Sequence, residues 1–378
     1  MILNENVDRK IIPIAGGKGG VGKSVLAANL ALSMALYGKR TVLVDLDLGG
    51  SNLHTLLGMK NVNPGVGNFL SGRELSVSDL AVPTEWENLL FVPGDVLVCG
   101  IGELTKATKT RVVKGILEID ADYIVIDLGG GTNFTVVDFF LVSNSGLIVT
   151  TPQNTSIMNA YSFLKNYVFR FLQRAFAQDK AVSSYLKKVL RERRPGSGSS
   201  VPDIIAGIAG IDADAGEKAE AFLEVLQPKL LLNKINGLDD VRIAQGLRDL
   251  AAKNLSIDLE CLGTVMNDAT VDLSIDEGRP FILDYPDEVV SGEMHRIAQK
   301  IIQSGQFPRM PLELDYYADT FELAQIETEN DLASLRRQPR EEEEEGRYDI
   351  DKLLELVRIQ QTRIQELQST LKMLSINY

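Results

Sequence analysis

The chain is poor in the residues that build redox and metal centres. Its 378 residues include two cysteines and two histidines. Cys99 and Cys261 lie far apart. That excludes a disulfide scaffold, a cysteine-rich zinc site and a four-cysteine iron–sulfur cluster supplied by one chain. His54 and His295 leave little material for a histidine-based metal site. No apolar run approaches the roughly 20 residues of a membrane span. The opening MILNENVDRK has no apolar signal core. Cations are also in deficit: 39 Lys and Arg face 52 Asp and Glu, a formal charge of -13. Such a balance disfavours a uniformly basic nucleic-acid face. The expectation is a cytoplasmic protein in a reducing compartment, with enough apolar residues (44%) for a sizeable core.

What is present is an alternation of short apolar runs and longer helical patterns. The runs predict strands at Lys10–Ala15, Arg40–Val44, Leu89–Pro93, Tyr123–Ile126, Leu147–Thr150, Leu230–Leu232 and Leu259–Val265. Several are continuous in Val, Ile and Leu, as strands buried on both faces of a parallel sheet are. Between the first two lies VLAANLALSMALYG, an Ala- and Leu-rich helix pattern ending at Gly38. Strand, helix, strand in that order predicts an α/β fold: a doubly wound, mostly parallel sheet of about seven or eight strands flanked by helices. Pro13 lacks the N–H of a central ladder position, so it is expected at the last paired residue or facing a gap.

The alternation holds over residues 1–310 and is broken twice. Residues 161–228 are too long for one crossover helix and read as a helical insert. It opens with Tyr161, Phe163, Tyr167, Phe169 and Phe171. A basic stretch follows, Lys187, Lys188, Arg191, Arg193 and Arg194, then a flexible loop by composition near 195–202. This aromatic and basic segment is a candidate for a membrane surface or partner, against the alternative of a helix packed on the sheet. Residues 311–346 read as a polar acidic linker ending in Glu341–Glu345. Residues 347–378 then follow heptads, with Ile350, Val357, Ile364, Leu371 and Tyr378 at one position. Leu353, Gln360, Leu367 and Leu374 hold the other. The pattern predicts an amphipathic or coiled-coil C-terminal helix. Its balanced charge favours pairing with a second copy or a partner helix over membrane binding.

The strongest signal is GKGGVGKS, from Gly17 to Ser24, which satisfies G-x-x-x-x-G-K-[S/T] between a predicted strand and a predicted helix. Gly17, Gly19, Gly20 and Gly22 let backbone N–H groups turn inward toward phosphate oxygens, with Val21 between them and Val25 following. The helix N-terminus adds partial positive charge. Lys23 reaches the β- and γ-phosphates, and Ser24 offers a hydroxyl to Mg²⁺. A second lysine, Lys18, is not needed for that cradle and could serve a phosphate across a dimer interface. Asp45 and Asp47 end one strand and Asp127 ends another, where carboxylates bind Mg²⁺ or orient the attacking water.

KGGVGKS, VDLDLGGSNL and DYIVID together resemble the MinD/ParA superfamily of deviant Walker A ATPases, within it most like the MinD and FlhG (FleN, YlxH) branches. The resemblance covers residues 8 to 305 and implies a P-loop NTPase fold of the SIMIBI type. It implies an ATP-sandwich homodimer in which Lys18 contacts the partner's nucleotide. Lys18, Lys23 and Asp47 become the catalytic residues, with Asp47 positioning the water. Ser24, Asp47 and Asp127 serve Mg²⁺, and Asn233 with Lys234 (in LLLNKIN) and Met266, Asn267 and Asp268 (in GTVMNDATVDLSIDEGRP) lie beside adenine. TTPQNTSIMNAY is similar to the stretch near the family's dimer and partner surface. Leu128 stands where the family has Ser or Thr, and LGGG implies a looser switch loop without that hydroxyl. The implied function is a slowly hydrolysing ATP switch, stimulated by a protein partner, that positions or regulates flagella, chemosensory arrays or division machinery. The alternatives are a nucleotide-stabilised scaffold assembled by the C-terminal heptads and a ParA-type DNA-segregation ATPase. A cysteine-based iron–sulfur carrier is excluded because no C-x-x-C is present.

Overall fold

The computed structural model describes residues 9–48, 50–60, 64–70, 76–94, 104–191, 200–303 and 320–337. Its centre is an eight-stranded sheet: β1 (Lys10–Ala15), β2 (Thr41–Leu46), β3 (Val82–Pro83), β4 (Leu89–Val92), β5 (Tyr123–Leu128), β6 (Leu147–Thr150), β7 (Lys229–Ile235) and β8 (Glu260–Met266). The spatial order is β3-β4-β2-β5-β1-β6-β7-β8. All pairs are parallel except β3 with β4. β2 and β5 are buried at every residue, which is why they read as unbroken apolar runs.

Seven strands fall where the apolar runs predicted them, with ends moved by up to three residues. β3 was not foreseen, because two residues of edge strand including Pro83 carry no periodicity. Pro13 is in register with Ile126 of β5, whereas pairing with β6 begins only at Ile14. The gap expected beside this proline therefore lies on the β6 side.

Helices flank the sheet. α1 (Lys23–Leu36) follows β1, and α2 (Leu53–Leu56) and α3 (Val66–Leu70) are short turns after β2. α4 (Lys106–Leu117) precedes β5 and α5 (Phe134–Phe140) follows it. α6 (Asn154–Ala175), α7 (Lys180–Arg191), α8 (Val201–Ala209) and α9 (Ala213–Glu224) run between β6 and β7. α10 (Leu238–Leu255) joins β7 to β8, and α11 (Ala269–Glu277), α12 (Phe281–Asp284) and α13 (Val289–Gln303) follow β8. α14 spans Thr320–Arg337.

The segment read as an insert is helical, but its first helix begins at Asn154 rather than Tyr161. Phe163, Tyr167 and Phe169 are buried, and Phe140 packs edge-on against Phe163 and Tyr167. These three rings belong to the core and form no docking surface, whereas Tyr161 and Phe171 are half-buried. Lys187, Lys188 and Arg191 are exposed on α7, while Arg193 and Arg194 lie outside the described residues. So does most of 195–202. Its end is ordered, with Ser200 and Asp203 forming a reciprocal cap on α8.

Within the stretch read as a polar linker, α14 buries Phe321, Leu323, Ala324 and Thr328. Ion pairs add to this burial: Lys300 with Glu327 (2.6 Å) and Arg296 with Asp331 (2.6 Å). The chain divides into two compact units, Met1–Asp331 and Leu332–Tyr378. Of the second, only residues 332–337 are described. The heptads of 347–378 lie outside the described residues.

Candidate nucleotide site

The loop between β1 and α1 is built for anions. Gly20 and Gly22 have φ of 80° and 92°, the left-handed region that glycine enters at no steric cost. A Cβ on Gly22 would also lie 2.3 Å from Asn233 Nδ2. α1 starts at Lys23 with no side-chain cap and no acidic residue in its first turn. Its leading N–H groups and dipole therefore face an anion unopposed. Lys23 is 6% exposed. Lys18 instead extends from the loop to the start of α6, its Nζ 3.4 Å from Gln153 Oε1 and 3.3 Å from Thr155 Oγ1.

Carboxylates converge at the strand ends beside this loop. Asp45 and Asp127 are paired in register across β2 and β5, and both are buried. Burial pushes the Asp127 carboxyl up to about 7, against the Ser24 hydroxyl hydrogen bond and the Lys23 charge, with Asp45 and Asp47 adding repulsion. Asp127 Oδ1 has no hydrogen-bond partner. Burial likewise raises Asp45 to about 6, although it accepts from the Ser51 hydroxyl (2.6 Å) and the Asp47 N–H (3.0 Å). Asp45 is thus tied up within the protein. Asp127 keeps a free buried oxygen next to Ser24, a hard-oxygen pair that fits Mg²⁺. Among the described residues, no cluster of three or more His, Cys, Asp or Glu could hold a metal. An ion here would draw its other ligands from water and phosphate.

The LGGG segment lies tight against the loop. A Cβ on Gly130 would be 2.9 Å from the Gly19 nitrogen and 3.2 Å from the Lys18 carbonyl carbon. The Gly131 N–H donates to the Gly16 carbonyl (3.3 Å). A Cβ on Gly129 would be 3.0 Å from Asp47 Oδ1. The glycines expected to loosen this segment instead permit close backbone contact. Half-buried Asp47 borders a 210 Å³ cavity with Gly129 and Gly130.

On the other side of the loop is a 230 Å³ cavity. Gly20, Gly22 and Val25 form one wall and Asn233 and Lys234 a second. Met266, Asn267 and Asp268 close it from the end of β8. All the residues expected beside the base thus meet in one place. Asn233 braces the loop, its Nδ2 donating to the Val21 carbonyl (2.9 Å) while its Oδ1 accepts the Lys234 N–H. The Asp268 carboxylate is engaged in capping α11. Val265, Val271, Ile275 and Phe281 complete the apolar lining. Sequence reasoning places Val265 in the segment that closes over the base but singles out none of Val271, Ile275 and Phe281, which look like ordinary core and surface positions. It also missed Glu293, whose buried Oε2 accepts the Met266 N–H at 2.8 Å.

Fold and loop together define a P-loop NTPase. Residues 7–167 match the ParA family, described as NUBPL iron-transfer P-loop NTPase. The flagellum site-determining protein YlxH of Helicobacter pylori is 34% identical over 162 residues, 41% of this chain and 53% of that protein. The chloroplastic septum site-determining protein minD homolog of Arabidopsis thaliana is 35% identical over 161 residues, 40% of this chain and 48% of that protein. The chain spans about half the length of the curated relatives it matches. The MinC:MinD cell division protein complex of Aquifex aeolicus shares the fold, with a TM-score of 0.52 at 19% identity over 80% of this chain and 98% of that one. Residues 7–167 are thus similar to ParA and MinD proteins, and the fold around them is that of a P-loop NTPase. Among the described residues, no helix is long and apolar enough to cross a membrane.

Proposed function

We propose that this chain is an ATP-binding, slowly hydrolysing switch that dimerises around nucleotide to position or regulate a cellular structure, such as flagella or the division site. The observation that carries the proposal is the divergence of two lysines in one loop. Lys23 is buried at the start of α1, while Lys18 reaches out to Gln153 and Thr155. One lysine suffices for a loop's own phosphates. A second, turned to the surface, is available to a phosphate held by another copy. The names of the two relatives supply the class of structure acted on.

In this proposal Gly17 to Gly22 and Lys23 hold the phosphates of ATP. Asn233, Lys234, Met266, Asn267 and Asp268 hold the base, with Val25 beneath it. Ser24 and Asp127 hold Mg²⁺ through the free Asp127 oxygen, with Asp47 at the edge of its shell. The ion would neutralise charge on the phosphate oxygens. Asp47, beside Gly129, orients the attacking water. The partners are a second copy and a protein activator. A membrane surface is the alternative address, and the charge of -13 disfavours nucleic acid.

The test is the solution mass of Asp47→Ala by light scattering after size exclusion, in ATP with Mg²⁺ and in ADP. The expected result is a dimer in ATP and a monomer in ADP. One unchanged mass in both would refute the switch.

A further inference from the structure

A third cavity, sharing no residue with those at the phosphate loop, lies between α4 and α6. Its volume is 550 Å³, within the range of small-molecule sites. Five cations line it: Lys106, Lys109 and Lys114 from α4, Arg170 and Arg174 from α6. In a chain of charge -13 this is a local inversion of sign.

One carboxylate answers them. Asp138 of α5 is 2% exposed and takes ion pairs from Lys109, Arg170 (2.6 Å) and Arg174 (2.9 Å). Burial alone would raise its carboxyl, yet hydrogen bonds from Arg170 and Lys109 and the charge of Arg174 hold it below the ordinary value. Asp138 thus fixes three cationic heads while cancelling a single charge. Lys106 and Lys114 are exposed and form no ion pair among the described residues. Four positive charges remain uncompensated around one concavity. The rest of the lining is Thr110, Gln173 and the apolar Val113, Leu117 and Ala177.

We propose that this cleft is a binding site for a phosphorylated organic anion. Its phosphates would lie among the Lys and Arg heads, and its apolar portion on Val113, Leu117 and Ala177. Three features favour phosphate over the carboxylates of an acidic polypeptide. The cations converge from two helices on one concave volume instead of running along a groove. Lys106 and Lys114 are exposed and, among the described residues, unpaired, point charges of the kind that bind phosphate. The apolar floor is small, suited to a ring or short chain. The proposal does not depend on the function assigned to the phosphate loop.

The test uses the full chain and inorganic triphosphate as probe, followed by calorimetry at low salt. Four proteins are compared: wild type, Lys23→Ala, the double variant Lys106→Glu with Lys114→Glu, and Lys23→Ala carrying both reversals. Both reversed lysines are exposed and unpaired, and thermal melting verifies that the variants carrying the reversals are folded. The expected result is saturable binding that survives Lys23→Ala and weakens at least about tenfold when the two reversals are added to that variant. Binding lost in Lys23→Ala but unchanged in the double variant would assign the probe to the phosphate loop and overturn the proposal. No saturable binding in Lys23→Ala would also overturn it. Capture of a hexaglutamate peptide in place of triphosphate would make the cleft a polypeptide surface, again against the proposal.

Discussion

Glu293 gives the sharpest quantitative test of how the base-side cavity is held. Its carboxyl is fully buried on α13 and accepts the Met266 N–H. Burial is the main force on its ionisation. Repulsion from Asp331 adds to it, the Met266 N–H and Arg296 oppose it, and the result is about 9 against an ordinary 4.5. The groups facing it are Arg296 on its own helix and Asp331 on α14. Between those two values the folded chain binds one proton that the unfolded chain has released. Stability therefore falls as pH rises through that window, by about 1.4 kcal/mol per pH unit from this group alone. Glu293→Gln keeps an oxygen acceptor for Met266 and has no proton to lose. The stability of the variant relative to wild type should rise on the order of 3 kcal/mol from pH 6 to pH 8. That corresponds to about 6 °C in melting temperature, at roughly 2 °C per kcal/mol in a domain of this size. Other titrating groups cancel in the difference. The assay is thermal unfolding of both proteins across that range. Parallel curves would mean that Glu293 is already ionised in the fold, and the reasoning from burial would fail.

Two further outcomes follow from close contacts elsewhere. Gly130→Ala places a Cβ 2.9 Å from the Gly19 backbone, which must give way; the strain is about 1–3 kcal/mol, and nucleotide turnover should fall at least about tenfold while the chain stays folded. Turnover at the wild-type rate would show that this approach is not needed. Asp138→Asn leaves three cations around a neutral side chain and should cost about 2 kcal/mol, less than a fully buried pair because the cations are 15–46% exposed. Urea unfolding measures it, and an unchanged midpoint would mean that solvent already satisfies those cations.

The legible parts of this chain were those in which local sequence and global fold demand the same thing. β2 and β5 are buried on both faces, so each reads as an apolar run wherever it lies in the sheet. GKGGVGKS could be read because the geometry of a phosphate cradle is encoded in consecutive residues, Gly20 and Gly22 at positive φ and Lys23 opening the helix. Asp127 was legible for the same reason, as the polar end of an apolar strand. What stayed hidden depends on partners distant in sequence. LGGG looked slack because nothing local reveals that Gly19 backs onto Gly130. Phe163 and Tyr167 of α6 looked like part of a surface because their core partner, Phe140, sits on another helix. Glu293 is one acid among 52, distinguished only by what closes over it. α14, which supplies Asp331, had itself read as linker, since charged residues are interspersed with the apolar ones it buries. The two omissions are therefore one. A helix whose buried face mixes apolar side chains with ion pairs has a weak hydrophobic signature, and the residue it buries cannot be recognised until the helix is in place. The cleft between α4 and α6 has the same character: its cations come from two helices about sixty residues apart, and only the fold gathers them around Asp138.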